Sequence, residues 1–266
     1  MAIIINMINF VCKLKRREMS NNNTMDNTSQ IELFQKYCSL LKKQDFDNAN
    51  TLFNEIDWFR FYKVGYHNVL KAVPVITEDL LLSIFCSRDS RGLWDFYIDN
   101  FILKVSIRRK MSPKVEAFGW KHVYQMDYPA RDDRFILVSI LSKYSLTDRM
   151  TNEELDYYNQ FPEEFTIYRG TNEEEFESKE FGVSWTPEQK VAEFFAFREE
   201  ELTSERSKRI VLAATVHKAD IVTCLLGRNE YEFIVAPERL LDIHVLLNQR
   251  TNLYDIYVDE VRHIRL

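Results

Sequence analysis

Phe165-Thr166-Ile167-Tyr168-Arg169-Gly170, following directly on Pro162-Glu163-Glu164, is where this chain changes character. Aromatic and β-branched residues crowd the stretch and a glycine closes it, the signature of a short strand entering a turn. Further runs of the same kind follow at Ile210–Val216, Ile221–Leu225, Tyr231–Val235, Ile243–Leu247 and Leu253–Val258. Between the first two runs lies one helical piece, Glu188–Phe197. The C-terminal hundred residues therefore read as strand, loop, short strand, helix, then several strands.

Ahead of Pro162 the texture is helical. Ile31, Leu33, Phe34, Tyr37, Leu40 and Leu41 recur near a 3.6-residue period, and a second amphipathic stretch runs from Asp45 to Phe61. Thr77 before Glu78-Asp79 predicts a capped helix start, and Thr151 followed by Glu154 has capping-box spacing. Trp94–Phe101 and Phe135–Leu141 are further apolar segments, with Pro113 and Pro129 as breaks. An α+β protein is expected: a leader over 1–30, a helical region over 31–160 and a strand-rich core over 161–266.

The chain has 266 residues, enough for a sizeable core, and only 6 Gly and 6 Pro, which excludes collagen-like or linker-dominated architectures. Cys12, Cys38, Cys86 and Cys224 lack CxxC spacing, so neither a disulfide framework nor a zinc site is expected, and a cytoplasmic setting fits. Residues 1–150 carry 22 Lys and Arg against 17 Asp and Glu; the remainder carries 13 against 24. Such asymmetry suits either two parts with different partners or two ordinary solvated surfaces. Met1–Cys12 is apolar and Lys13–Arg17 basic, the reverse order of a secretory signal. The apolar stretch is too short to span a bilayer, and no membrane partner is expected. Met19 and Met25 are alternative starts, with the Asn-rich 20–29 stretch expected to be disordered.

Three motifs occur in order after Pro162. Tyr168-Arg169-Gly170 closes a strand. Gly182-Val183-Ser184-Trp185-Thr186-Pro187 leads into Val191-Ala192-Glu193-Phe194-Phe195-Ala196. Gly227-Arg228-Asn229-Glu230-Tyr231-Glu232 runs into Phe233-Ile234-Val235-Ala236-Pro237. Three of the six glycines stand at these points, where a backbone turns sharply or approaches another group closely. Carboxylates at i and i+2, as at Glu230 and Glu232, share one face of an extended segment and reach one cleft. Arg169 offers a planar guanidinium suited to phosphate oxygens.

This order and spacing resembles the Arg–Ser–Glu class of ADP-ribosyltransferases, which includes bacterial binary-toxin and vertebrate arginine-specific enzymes. Arg169 is similar to that class's first motif, Ser184-Trp185-Thr186 to its Ser-x-Thr motif, and Glu230-Tyr231-Glu232 to its Glu-x-Glu motif. The resemblance covers about 165–237. It implies a mixed β-sandwich core and transfer of ADP-ribose from NAD, as substrate and without a metal, to a macromolecular acceptor: a protein arginine or a base of RNA or DNA. It implies that Glu232 stabilises the positive charge developing on the ribose and that Glu230 orients or deprotonates the acceptor. Arg169, Gly170, Ser184, Thr186 and Glu232 would contact NAD, with Ser184 hydrogen-bonding Glu232 or NAD. Pro187 at the third motif position and Trp185 at its centre depart from the class, and the loop before Glu230 is short. A toxin or phage-related defence effector is implied, and with it an antitoxin or immunity partner.

Plainer readings stand beside these. Arg169 suits an ion pair, Glu230 and Glu232 the solvated face of an edge strand, and Ser184–Thr186 a turn with a helix cap. Phe194, Phe195, Phe197 and Trp185 suit core packing. The five histidines, His67, His122, His217, His244 and His263, form no metal or triad spacing. Lys104, Arg108, Arg109, Lys110, Lys114 and Lys121 form a basic stretch that suits either nucleic-acid phosphates or an ordinary surface. A non-catalytic binding protein that has kept the fold is the alternative function.

Overall fold

The computed structural model describes residues 27–87, 91–127, 131–198, 208–227 and 231–262, and the chain divides near residue 130 into two compact units. Except for 27–30, the expected leader lies outside the described residues, as do Cys12 and His263.

The first unit is helical. Helices α1 (Asn27–Lys42), α2 (Phe46–Phe53), α3 (Trp58–Ala72) and α4 (Glu78–Cys86) precede α5 (Leu93–Tyr97), a π-helical turn (Ile98–Ile102), α6 (Val105–Arg108) and α7 (Pro113–Asp127). The stretch expected to run from Asp45 to Phe61 is two helices, parted by the 54–57 turn. Asp45 starts α2 by accepting from Asn48 N, and Thr77 starts α4 by accepting from Leu80 N, which satisfies donors a helix N-terminus leaves orphaned. Trp94 and Trp120, with ring centroids 5.1 Å apart and planes inclined at 61°, centre a core with Tyr97 and Phe101. The Tyr97 hydroxyl, buried there, donates to the Glu116 carbonyl at 3.0 Å.

The second unit opens with α8 (Arg131–Leu141), α9 (Leu146–Arg149) and α10 (Asn152–Asn159). These helices belong with the strands, so the boundary expected at 160–161 falls some thirty residues earlier. Two long-range bonds hold them: Thr223 Oγ1 donates to the Arg149 carbonyl at 2.8 Å, and the Tyr158 hydroxyl to the Lys218 carbonyl at 3.1 Å. The Thr151–Glu154 capping box at the start of α10 is complete in both directions.

Among the described residues six strands follow, with two α-helices among them and one after: β1 (Glu164–Asn172), α11 (Glu173–Ser178), β2 (Ser184–Trp185), α12 (Gln189–Phe197), β3 (Arg209–His217), β4 (Ile221–Leu225), β5 (Glu232–Val235), β6 (Leu241–Leu247) and α13 (Asn252–Arg262). They form two three-stranded sheets, β1-β3-β6 and β2-β5-β4, antiparallel at every described pairing. Their inner faces share one core, with Ile167, Leu212, Ala214 and Val216 from the first sheet and Trp185, Ile221, Cys224, Phe233 and Val235 from the second. On the outer face of the first sheet, α12 and α13 pack through Ala192, Ala196, Phe197 and Tyr254 against Val211. The expected α+β division is thus present. Leu253–Val258, expected as a strand, lies in α13: buried Tyr254 and Tyr257 are three residues apart, the spacing of one helix face.

Candidate functional site

Strand β1 alternates its side chains between the two faces of its sheet. Ile167 enters the inter-sheet core, and Tyr168 packs outward against the α12 layer. By the same alternation Arg169 returns to the inner face and Gly170 lies under α12. A Cβ on Gly170 would run into the Ala192 carbonyl oxygen and the Ala196 nitrogen. Gly170, assigned above to NAD contact, therefore serves helix-on-strand packing at the position its side chain would fill.

An arginine on a sheet's inner face needs a counter-ion, because its charge has lost most of its water. Glu175, in the one-and-a-half-turn helix α11, supplies it. Arg169 Nε donates to Glu175 Oε1 at 2.7 Å and Nη2 to Oε2 at 3.1 Å, a bidentate pair with side chains only 15% and 16% exposed. The same carboxylate accepts from Thr171 Oγ1 at 2.6 Å and from Gly182 N at 2.9 Å. Burial pushes the Glu175 carboxyl up, but Arg169, Thr171 and the Gly182 amide outweigh that and hold it below the ordinary value. Asn172 starts the helix by accepting from Glu175 N at 3.0 Å, which turns Glu175 toward Arg169.

The other arm of the guanidinium reaches the next motif: Arg169 Nη1 donates to the Ser184 carbonyl at 2.8 Å. A Cβ on Gly182 would strike that guanidinium, so the second glycine of the motifs makes room for Arg169. Tyr168 and Thr186 exchange both backbone hydrogen bonds, at 2.7 and 2.9 Å, bridging the two sheets beside the arginine. Thr186 Oγ1 accepts from Glu188 N at 3.2 Å, so its hydroxyl serves the approach to α12. Trp185 is buried in the core, and its indole donates to the Gly182 carbonyl at 2.9 Å.

Across the second sheet, Ser184 pairs with Ile234 and Trp185 with Phe233. Paired residues of antiparallel strands project to the same face, so Ser184, Ile234 and Glu232 share one face while Trp185 and Phe233 fill the other. Ser184 and Glu232 are then diagonal neighbours, partly exposed where Ile234 between them is buried. Among the described residues the Ser184 hydroxyl makes no hydrogen bond, to Glu232 or otherwise. Glu232 opens β5 opposite Leu225, and the residue before it, Tyr231, has φ +46°. A left-handed tyrosine is uncommon and marks a position held by its surroundings. Glu230 lies outside the described residues.

Tyr157 on α10 stands against this segment, its ring 5.5 Å from Tyr231 and 5.9 Å from Phe233. Its hydroxyl is buried without a partner among the described residues, and burial, followed by the nearby Glu188 and Tyr231, drives its pKa upward. Sequence reasoning missed Glu175, Thr171 and Tyr157. For Glu175 a signal existed: the Asn172-x-x-Glu175 spacing of a helix start.

Of the aromatics in α12, Phe197 is buried and Phe194 packs on Tyr254 and Tyr257 of α13. The basic stretch of the first unit is largely engaged within it. Arg108 pairs bidentately with Glu116, Lys104 donates to Asn100, and the Lys110 ammonium donates to the Leu70, Lys71 and Val73 carbonyls at the end of α3. No described helix is long and apolar enough to cross a membrane. No protein-family model, curated protein or solved structure matches the chain.

Proposed function

We propose that the chain is an NAD-dependent mono-ADP-ribosyltransferase whose working groups are Arg169, Ser184, Glu230 and Glu232. The observation that carries this reading is a chain of neighbours: Arg169 bonds the Ser184 carbonyl, and Ser184 is the diagonal neighbour of Glu232 across β2 and β5, linking three motifs spread over more than sixty residues.

In the proposed reaction the bond between nicotinamide and ribose breaks, and nicotinamide leaves with the electron pair. A nucleophile of the acceptor bonds to the same ribose carbon, and its proton passes to a base, the role assigned to Glu230. Glu232 faces the positive charge that develops on the ribose. Of a guanidinium's five N–H groups, three of Arg169's are engaged, with Glu175 and the Ser184 carbonyl, leaving the others for a phosphate oxygen. The acceptor is a protein arginine or a nucleic-acid base, in the manner of a toxin or defence effector acting in the cytoplasm and held in check by a neutralising partner.

The test is incubation of the full chain with labelled NAD and cell lysate, followed by protease or nuclease digestion. Label lost to one treatment identifies the acceptor, and Glu232→Gln should abolish both labelling and nicotinamide release. Absence of transfer and of free nicotinamide with the wild-type chain sinks the reading. One observation favours the alternative, a binding protein that keeps the fold without catalysis: Arg169 already has a matched counter-ion in Glu175. Failure to bind NAD in a titration would favour that alternative.

A further inference from the structure

We infer that Glu175 is a positioning residue for this reaction, setting the place of Ser184 and Glu232 through Arg169. The inference rests on the transferase reading above and concerns a residue that lies in none of the three motifs.

The geometry runs in one chain of contacts. Asn172 ends β1 and caps α11, so Glu175 is turned back over the strand it follows. One Glu175 oxygen accepts from Arg169 Nε and Gly182 N, the other from Arg169 Nη2 and Thr171 Oγ1. The carboxylate therefore ties β1, through Arg169 and Thr171, to Gly182, two residues before Ser184. Arg169 closes the ring by donating Nη1 to the Ser184 carbonyl. Strand β2 is only two residues long and pairs with β5 at two positions, with one further backbone tie at each end, Val235 N to the Val183 carbonyl and the Tyr168–Thr186 bridge. The ring of bonds through Glu175 adds side-chain ties to this short ladder, fixing Gly182 and the Ser184 carbonyl against β1, and β2 in turn lies beside the strand that carries Glu232.

An alternative use of Glu175, as a plain stabilising ion pair, would act on folding alone. A positioning role acts on the folded enzyme, because displacing catalytic groups by about 1 Å lowers turnover by up to about a hundredfold. The experiment compares nicotinamide release from NAD by the full-length wild-type chain, Glu175→Gln, Thr171→Val, Arg169→Lys and the Arg169→Lys/Glu175→Gln double variant. Each is measured as kcat and KM per folded molecule, with melting followed separately.

We expect Glu175→Gln to lower kcat about tenfold or more, with a smaller change in KM. The double variant should lose little beyond the worse single one, as for residues acting as a unit. Thr171→Val, which removes one donor and leaves the ion pair, should lower kcat about two- to fivefold with little change in melting. A folded Glu175→Gln variant with wild-type kcat, or losses that simply multiply in the double variant, overturns the inference. Should Glu175→Gln fail to fold, Thr171→Val decides, and unchanged kcat there overturns it equally. No nicotinamide release by the wild-type chain overturns the transferase reading and this inference with it. Wild-type release untouched by the Glu175 and Thr171 changes overturns the inference alone.

Discussion

Glu193 offers the sharpest test of how the C-terminal unit is held together. It lies mid-way along α12, and its side chain is wholly buried. Its carboxylate accepts from Thr251 N at 2.9 Å, from Thr251 Oγ1 at 2.8 Å, and from Gln189 Nε2 at 3.0 Å. Thr251 is the residue on which α13 begins: its hydroxyl accepts from Leu253 N and its carbonyl from Tyr254 N. The buried carboxylate thus fixes the first turn of α13 and faces the positive end of that helix. Replacement by leucine removes the acceptor and strands two Thr251 donors, while Gln189 can turn to water. Hydrogen bonds to a charged group contribute roughly 1.5–3 kcal/mol each. Against this, leucine escapes the desolvation penalty of a buried carboxylate, which brings the expected net loss to about 2–4 kcal/mol. The exposed Lys190–Glu260 pair also links α12 to α13, but such a pair contributes at most about 1 kcal/mol, so Lys190→Ala serves as a control. Urea unfolding reads the total, and hydrogen exchange over 251–262 locates it. We expect Glu193→Leu to lose protection in α13 before the sheets and Glu193→Gln to fall in between. Glu193→Leu within about 0.5 kcal/mol of wild type, with unchanged exchange over 251–262, would refute the reasoning.

Three further outcomes are expected. Gly170→Ala should destabilise the second unit by about 1–3 kcal/mol in denaturant titration, since the new methyl meets backbone of α12, and should weaken activity with it. His122, stacked between the rings of Phe85 and Phe118, is held down to about 4 by burial, against an ordinary value of 6.5. Its folded value being the lower one, the stability it contributes is complete above pH 6.5 and is lost as pH falls toward 4; His122→Phe should flatten that part of a stability–pH curve, and an unchanged slope would contradict it. Lys110→Met should destabilise the helical unit by about 1–2 kcal/mol through loss of the cap on α3, whereas exposed Lys114→Met should change it by no more than about 0.5 kcal/mol.

What could be read without coordinates was whatever is decided within a few residues. Thr77 and Thr151 cap helices because their oxygens meet amides three positions on. The β-branched runs from Phe165 to Leu247 pair as strands because each alternates or is apolar throughout. Leu253–Val258 carries the same residue types yet is helical, because its environment comes from α12: Glu193 organises its first turn and Phe194 packs on Tyr254 and Tyr257. The early domain boundary has the same cause, since α9 and α10 are tied to the strands by bonds reaching sixty residues or more along the chain. Glu175 was hidden in a run of acids, Glu173-Glu174-Glu175, that reads as a solvated surface. Only the cap at Asn172 turns the third of them inward.

The ion pair bears on the proposed function in a way that neither reading of Arg169 anticipated alone. Taken as a structural pair it is a poor bargain for stability, because apolar residues of similar volume in such a place are often neutral or stabilising by comparison. A guanidinium there does something an apolar side chain cannot: it bonds a backbone carbonyl of the two-residue strand β2. It also keeps unspent N–H groups at a side chain 15% exposed. Glu175 need not compete with a ligand phosphate: the pair engages Nε and one N–H of Nη2, the Ser184 carbonyl takes one N–H of Nη1, and one N–H on each terminal nitrogen is left. The ion-pair and ligand-contact readings of Arg169 are therefore compatible, and they separate by experiment. Arg169→Lys keeps a charge but cannot span two Glu175 oxygens and the Ser184 carbonyl from one planar fork. If the arginine served only as a phosphate's counter-charge, Lys would raise KM for NAD and spare kcat. If it also sets the strand, kcat falls with it, and the size of that fall measures how far the site depends on being assembled beforehand.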